Sequence, residues 1–405
     1  MEPDFFETAG LGVQPAGVRQ TNIRAVLTLI ATSSGLSAAE LARLTHLAPQ
    51  TISAILEDID KLGLLRKGEV RRGRRGQPAT PYHINPRGAF AIGIELGWRR
   101  IEARLVNIGG ETLSAYRRDY SYPDPHSIFD EIGRIATQFR NELGEDDRDK
   151  LVGFGIAAPG NIGRNIGILD ADLSVGKRWL ELDIAEAAEA ATGMRVQVFN
   201  DGNAACWAEF VSMPAPRSSD FAYLMLGTFI AAGVVVEGKL WEGPTGNSAN
   251  LGAMLINDRH GDVNFAHLVA STFALSQRLA GAGIDVPATS PLDWPWEDWE
   301  PYVSDWIDDS ASALASIIAN TAAVFEFRTA VLDGVMPEPL LERLVEAVER
   351  YLSLLPSMAI DIPKLTRGRL GPSAASTGAA YLPLYQRFFS RDFSARKLKS
   401  TAGTN

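Results

Sequence analysis

Cysteine is nearly absent. Cys206 is the only one in 405 residues, so an intrachain disulfide is impossible and a cysteine-rich zinc site is excluded. No apolar run approaches the roughly 18–20 residues that span a bilayer. Met1-Glu2-Pro3-Asp4 opens without the charged-apolar-small order of a secretory signal. A cytoplasmic protein with no membrane partner is expected. Basic charge is scarce too, and unevenly placed. The net charge is −10, yet residues 1–88 hold 11 Lys and Arg against 8 Asp and Glu, whereas the remainder holds 28 against 41. A small basic module on a large acidic body suggests separate jobs, with the basic part suited to phosphate contacts. The length suits two or three domains, and 46% apolar with 22% charged residues is ordinary globular composition.

Residues 1–16 lack periodicity and read as a mobile arm. Ile23, Val26, Leu27, Leu29 and Ile30 then recur at helical spacing between Val18 and Thr32. Ser37 and Glu40 form a capping box that opens a helix over Ala38–Thr45. Pro49 suits the first turn of a third helix, to Leu62, with Ile52, Ile55, Leu56 and Ile59 facing inward. Strands are predicted at Leu64–Lys67 and Tyr82–Ile84, flanking Arg71-Arg72-Gly73-Arg74-Arg75-Gly76-Gln77-Pro78. This is the order of a winged helix-turn-helix, an all-α unit plus wing. Its third helix enters the DNA major groove and its basic turn reaches the backbone or minor groove. Gln50, Thr51 and Ser53 stand near the start of that helix, off its apolar face, as readers of bases or phosphates must. The alternative is a protein-binding module with a solvated arginine turn. Four arginines within five residues, spaced by glycine, favour DNA.

From Pro86 the composition shifts to an α/β pattern. Strands are predicted over residues 89–97, 100–106 and 111–120, a helix over 127–143 and a strand over 151–157, with the same order repeated after residue 221. Val303–Leu332 reads as one long amphipathic helix, Pro339–Leu354 as another, and a last helix starts at Gly378. Trp294, Trp296, Trp299 and Trp306 crowd one short segment, where a subunit interface is favoured over a lid or a sugar-stacking surface. The most informative stretch is residues 198–209, VFNDGNAACWAE. A strand ends in Asn200-Asp201-Gly202-Asn203 where an alanine-rich helix begins. Asn and Asp favour such a junction because their oxygens cap unpaired amides. A capped turn is the plain reading of that stretch alone; its neighbours are Gly153–Gly160, an apolar strand breaking at Pro-Gly, and Leu226-Gly227-Thr228-Phe229-Ile230-Ala231-Ala232-Gly233.

This ordered set resembles the sugar-binding half of the ROK family of repressors, open reading frames and sugar kinases, over most of residues 86–385. The resemblance implies an α/β body with the two-lobed actin-like, sugar-kinase (ribonuclease H-like) fold, its last helix packing back on the first lobe. Asp201 holds the place of the kinases' catalytic base. Val18–Asn22, with Arg19, is similar to the start of the repressors' DNA-binding domain, and Gly73-Arg74 through Pro78 to their wing. The kinases' first phosphate loop, D-x-G-x-T, corresponds to Glu95-Leu96-Gly97-Trp98-Arg99; their second, G-T-G-x-G-G-G, to Gly227–Gly233. Side chains at 229, 231 and 232 occupy space or forbid dihedrals that a phosphate cradle uses. The family's zinc loop is missing, and its E-x-G-H turn reads Asn250-Leu251-Gly252-Ala253. His267 stands where another sugar-contacting Glu is expected.

These readings set the expectations. The domains are an arm at 1–16, a winged helix-turn-helix at 17–85, a first lobe at 86–199 with a returning helix at 377–393, and a second lobe at 200–376. Gly160, Asn200, Asp201, Asn250 and His267 contact a carbohydrate, although Asn250 is equally a turn residue and His267 equally a helix-end cap or surface imidazole. Arg19, Gln50, Thr51, Ser53, Arg71, Arg72, Arg74, Arg75 and Gln77 contact a double-stranded DNA operator. The chain acts as a sugar-controlled repressor, a homodimer or homotetramer, without metal, cofactor or catalysis. The alternative is an active ATP-dependent carbohydrate kinase carrying a DNA-binding domain.

Overall fold

Local signals account for the first unit. The computed structural model describes residues 15–70, 80–214, 217–259, 261–356 and 361–390. It opens with α1 (Pro15–Ala31), α2 (Ala38–Thr45) and α3 (Pro49–Lys61), followed by β1 (Leu65–Lys67) and β2 (Tyr82–Ile84). Ser37 Oγ accepts from the Glu40 amide at 3.3 Å, and the Glu40 carboxylate accepts from the Ser37 amide at 2.8 Å, closing the capping box that starts α2. Ile52, Ile55, Leu56 and Ile59 are buried, so α3 turns its apolar stripe inward. β1 and β2 pair antiparallel, Leu65 opposite Ile84. Described residues up to Phe90, with Asn107–Glu111 and Leu384–Ser390, form this unit. Arg71, Arg72, Arg74, Arg75 and Gln77, like residues 1–14 of the expected arm, lie outside the described residues.

The second unit comprises Ala91–Val106 and the described part of Thr112–Pro383. Its first half holds β3 (Phe90–Leu96), β4 (Arg100–Asn107), β5 (Thr112–Asp119), α4 (Pro125–Glu142), β6 (Leu151–Ala158), α5 (Leu173–Leu180), α6 (Ile184–Thr192), β7 (Gln197–Asn200) and α7 (Asp201–Ser212). The second half holds β8 (Phe221–Leu226), β9 (Ile230–Val236), β10 (Lys239–Leu240), β11 (Leu255–Asn257), β12 (Val263–Phe265), α8 (Thr272–Gly281), α9 (Tyr302–Phe325), β13 (Thr329–Gly334), α10 (Glu338–Leu354), β14 (Lys364–Arg367) and α11 (Ala374–Phe388). One five-stranded sheet runs β5-β4-β3-β6-β7 and the other β10-β9-β8-β13-β14, so the two lobes repeat one topology. In each, an antiparallel meander continues into parallel strands. Among the described residues no helix is long and apolar enough to cross a membrane.

Two expectations are corrected here. The single helix over Val303–Leu332 is a helix and a strand: α9 ends as Glu326 turns left-handed (φ 51°), and β13 follows. β13 lies between two parallel neighbours and is buried along nearly its whole length, so Ala330-Val331-Leu332 shows no alternation that would mark a strand. The tryptophan cluster is core, not a subunit interface. Trp294, Trp296, Trp299 and Trp306 are all buried in the second lobe. Their indoles pack on one another, and three donate to backbone carbonyls: Trp294 to Thr289, Trp296 to Pro291 and Trp306 to Ser271.

The returning helix α11 packs where side chains vanish. A Cβ on Gly378 would stand 1.8 Å from the carbonyl oxygen of Ala204 in α7. Beyond Pro383, which sits inside α11, the helix belongs to the first unit, where the Ser390 amide donates to Thr28 Oγ1 at 2.9 Å. All eight tryptophans lie in the second unit, so their fluorescence reports its unfolding. Gly378→Ala is expected to destabilise that unit by about 1–3 kcal/mol, the usual cost of overpacking. The check is the urea midpoint of tryptophan fluorescence; an unchanged midpoint contradicts the seating of α11 on α7.

Candidate functional site

Backbone termini in the second unit converge on a cleft of about 380 Å³. The turn after β6, the β7–α7 junction, the segment after β10 and the turn before α8 all line it. Gly160, Asn200, Asp201, Asn250 and His267 stand together there, as expected from the sequence. Asn200 caps α7, its Oδ1 accepting from the Asn203 amide at 3.1 Å. Asn247 joins them, a residue that sequence reasoning missed. Asn200 Nδ2 donates to Asn247 Oδ1 at 3.0 Å, and that oxygen lies 2.8 Å from where a Cβ on Gly160 would stand. Asn203 Nδ2 holds the same segment through the Gly246 carbonyl at 3.0 Å. Asn250 opens the turn at Leu251–Ala253 without capping it through its side chain.

Two carboxyls share the cleft. Burial pushes Asp201 up to about 6, against the pull of the Gly202 amide that donates to it at 2.9 Å. Burial likewise pushes Glu95 up to about 7; Arg100 opposes the rise, while Glu102 and Asp201 add to it. Arg100 donates to Glu95 at 2.8 Å and to the carbonyl of Pro372, just before α11.

His267 does not cap α8; Ser271 does, accepting from the Ala274 amide at 3.1 Å. The imidazole instead braces the β8–β9 turn, its Nδ1 accepting from the Ile230 amide at 3.1 Å. Burial pushes His267 down to about 4, so the neutral ring carries its proton on Nε2. Gly252 makes room for it, since a Cβ there would meet Cε1 at 2.1 Å.

The β3–β4 and β8–β9 turns meet side chain to side chain. Trp98, on the β3–β4 turn, contacts Phe229, on the β8–β9 turn, edge to face with centroids 5.1 Å apart. Phe229 also packs on His267 and Phe273, at 5.7 and 5.5 Å. Three backbone amides in and beside these turns are satisfied within the protein. The Gly97 amide donates to the Arg100 carbonyl at 2.9 Å, Gly227 to the Phe229 carbonyl at 3.0 Å, and Ile230 to His267. Among the described residues, no group of three or more His, Cys, Asp or Glu could hold a metal ion.

The model of the ROK family matches residues 91–385. The chain belongs to the ROK family. Ahead of that body, residues 24–76 match the MarR family. The chain is 24% identical over 369 residues to the uncharacterized protein y4fQ of Sinorhizobium fredii, covering 91% of this chain and 92% of that one. It is 24% identical over 242 residues to the xylose repressor of Bacillus spizizenii, covering 59% of this chain and 62% of the repressor. Its fold is similar to the crystal structure of a ROK family transcriptional regulator, a homolog of the E. coli MLC protein. The TM-score is 0.67 at 22% identity, covering 92% of this chain and 98% of that one.

In the first unit, Gln50, Thr51 and Ser53 are exposed on α3, with Ser53 Oγ donating to the Pro49 carbonyl at 3.0 Å. Arg19, expected against DNA, pairs with Asp58 of α3, Nε to Oδ2 3.2 Å, and so ties α1 to α3. That contact competes with phosphate for the same guanidinium.

The Glu95 shift has a consequence for stability. Its folded value, about 7, lies above the ordinary 4.5, so between those values the native chain holds a proton the unfolded chain has released. Stability therefore falls as pH rises through that window. Glu95→Gln is expected to flatten the slope of the urea midpoint between about pH 6 and 7.5, above the range in which Asp201 contributes. A slope unchanged by the substitution contradicts the assignment.

Proposed function

We propose that the chain is a sequence-specific DNA-binding transcription regulator, a repressor, controlled by a carbohydrate held in a kinase-like cleft that performs no phosphoryl transfer. The observation that carries this reading is the Trp98–Phe229 contact. It joins the two turns that would cradle nucleotide phosphates, while the polar residues beside it stay grouped in one cleft. Xylose repressors among the relatives support the direction of control, and the match to the MarR family supports DNA as the partner. The protein acts in the cytoplasm, where its operator lies.

Asp201 then serves as an acceptor for a ligand hydroxyl, in place of a base. Asn200, Asn247 and Asn250 offer neutral donors and acceptors, and His267 offers Nε2–H. Gln50, Thr51 and Ser53 read the operator, while Arg71, Arg72, Arg74, Arg75 and Gln77 contact its backbone or minor groove. Two-fold operators call for a homodimer or homotetramer. Control works by linkage: the sugar favours one conformation of the body, and that conformation disfavours DNA. Helix α11, shared between the units with Pro383 at the crossover, is the covalent element through which such a preference reaches α1.

The competing reading is an active kinase, which the kinases among the ROK relatives keep in view. A phosphorylation assay with ATP and a sugar panel separates the two. No transfer is expected from the unmodified chain, and transfer that disappears in Asp201→Ala restores the kinase. For the sensor, Asp201→Ala is expected to weaken sugar binding about ten- to a hundred-fold, the worth of a charged acceptor, and to leave operator affinity intact. Binding is also expected to weaken as pH falls below about 6, where Asp201 takes up its proton. Calorimetry across that range checks this.

A separate test addresses the wing. Arg74→Ala with Arg75→Ala is expected to lower operator affinity and flatten its salt dependence, because lost phosphate contacts release fewer counterions. Gel-shift titrations at two salt concentrations measure both, and unchanged affinity rejects the wing as a DNA contact.

A further inference from the structure

The cleft has two chemically distinct walls. Asn200, Asn247, Asn250 and Asp201 form the polar one, tied to Gly160 and the start of α7. The other is mainly apolar, with Arg99 and Thr228 beside its rings. Trp98 and Phe229 project into the cleft lining half-buried, with Val335 and Met225 beside them, and Phe265 and Leu268 still 48% and 49% exposed. The residues of this second wall come from the turns that correspond to the phosphate loops and from the ends of β8, β12 and β13. A nucleotide would need backbone donors there, and those of Gly97, Gly227 and Ile230 are already used. Arg99, Thr228 and His267 are the polar groups nearest these rings, too few to partner all the hydroxyls of a sugar buried there. At about 380 Å³ the cleft falls within the range of roughly 300–1,000 Å³ that takes drug-sized ligands, more room than a bare monosaccharide uses.

We infer that the ligand is a glycoside with an aromatic or other apolar aglycone, its sugar on the asparagine wall and its aglycone against Trp98 and Phe229. This rests on the sugar-sensing reading and names the ligand class for that same cleft. The aglycone fills the space that the two aromatic turns have withdrawn from phosphate. Recognition then has two parts: the hydroxyls select the sugar, and the apolar wall rejects the free sugar by leaving part of the cleft unfilled. The response is thereby tuned to the conjugate rather than to the hydrolysed sugar.

The test is calorimetry of the full chain against matched methyl and phenyl β-glycosides of glucose, galactose, xylose and N-acetylglucosamine, with β-linked disaccharides of the same sugars alongside. In the pair that binds, the phenyl member is expected to be tighter by about ten-fold or more, as burial of an aromatic ring predicts. Trp98→Ala is expected to reduce that ratio to under about three-fold, and Trp98→Phe to restore most of it. Should Trp98→Ala not fold, Phe229→Leu tests the same wall, again through the phenyl-to-methyl ratio. Equal affinity within every pair overturns the aglycone proposal and leaves sugar sensing standing. A ratio untouched by the substitutions also overturns it. A disaccharide that gains as much as the phenyl glycoside makes the wall a second sugar subsite, and the proposal fails. If no member of any pair binds, the sugar-sensing reading fails, and this proposal with it.

Discussion

Phe229 is the side chain on which the cleft depends. It stands in the β8–β9 turn and packs against Trp98, His267 and Phe273. The His267 ring can reach it only because Gly252 carries no side chain, and the same ring takes the Ile230 amide. Aromatic packing fills the space around the turn, and the Gly227 and Ile230 amides are satisfied internally, which leaves the turn stable without a ligand.

The opposite turn is fixed by buried charge. Arg100 lies between Glu95 and Glu102, and all three are nearly inaccessible. Such a group is costly to bury and poor as a source of net stability, but it specifies geometry well. Here it fastens the first lobe to the returning helix: Arg100 donates to Pro372, and Ser376 Oγ donates to Glu102 at 3.0 Å. Because Glu95 also senses Asp201, a carboxyl of the cleft and the anchor of α11 belong to one electrostatic group.

The second lobe is held together by packing and ion pairs. The β11–β12 hairpin, which leads into Phe265 and His267, is tied to α9 by Arg259, whose guanidinium donates to buried Asp309; Arg278 of α8 donates to the same carboxylate. Beneath, Trp294, Trp296 and Trp299 pack together and give α9, through its Trp306, a broad apolar seat. Both contacts hold the apolar rim of the cleft in place.

How much of this was legible beforehand depends on how local the signal is. The helix-turn-helix was, because the capping box at Ser37–Glu40, Pro49 at a helix start and the stripe from Ile52 to Ile59 all act within a few residues. The repeated lobe order and the five cleft residues were legible as well, since Asn200-Asp201 caps a helix by short-range bonds and the ordered set resembles a family. β13 was not, because a strand buried between parallel neighbours shows no alternation. Nor was the burial of the tryptophans, since composition does not say which face an indole meets. Sequence alone marked Trp98 and Phe229 as side chains that a phosphate cradle does not tolerate. Only the folded chain, by bringing two turns more than a hundred residues apart into ring contact, decided that they fill the space together and make it apolar.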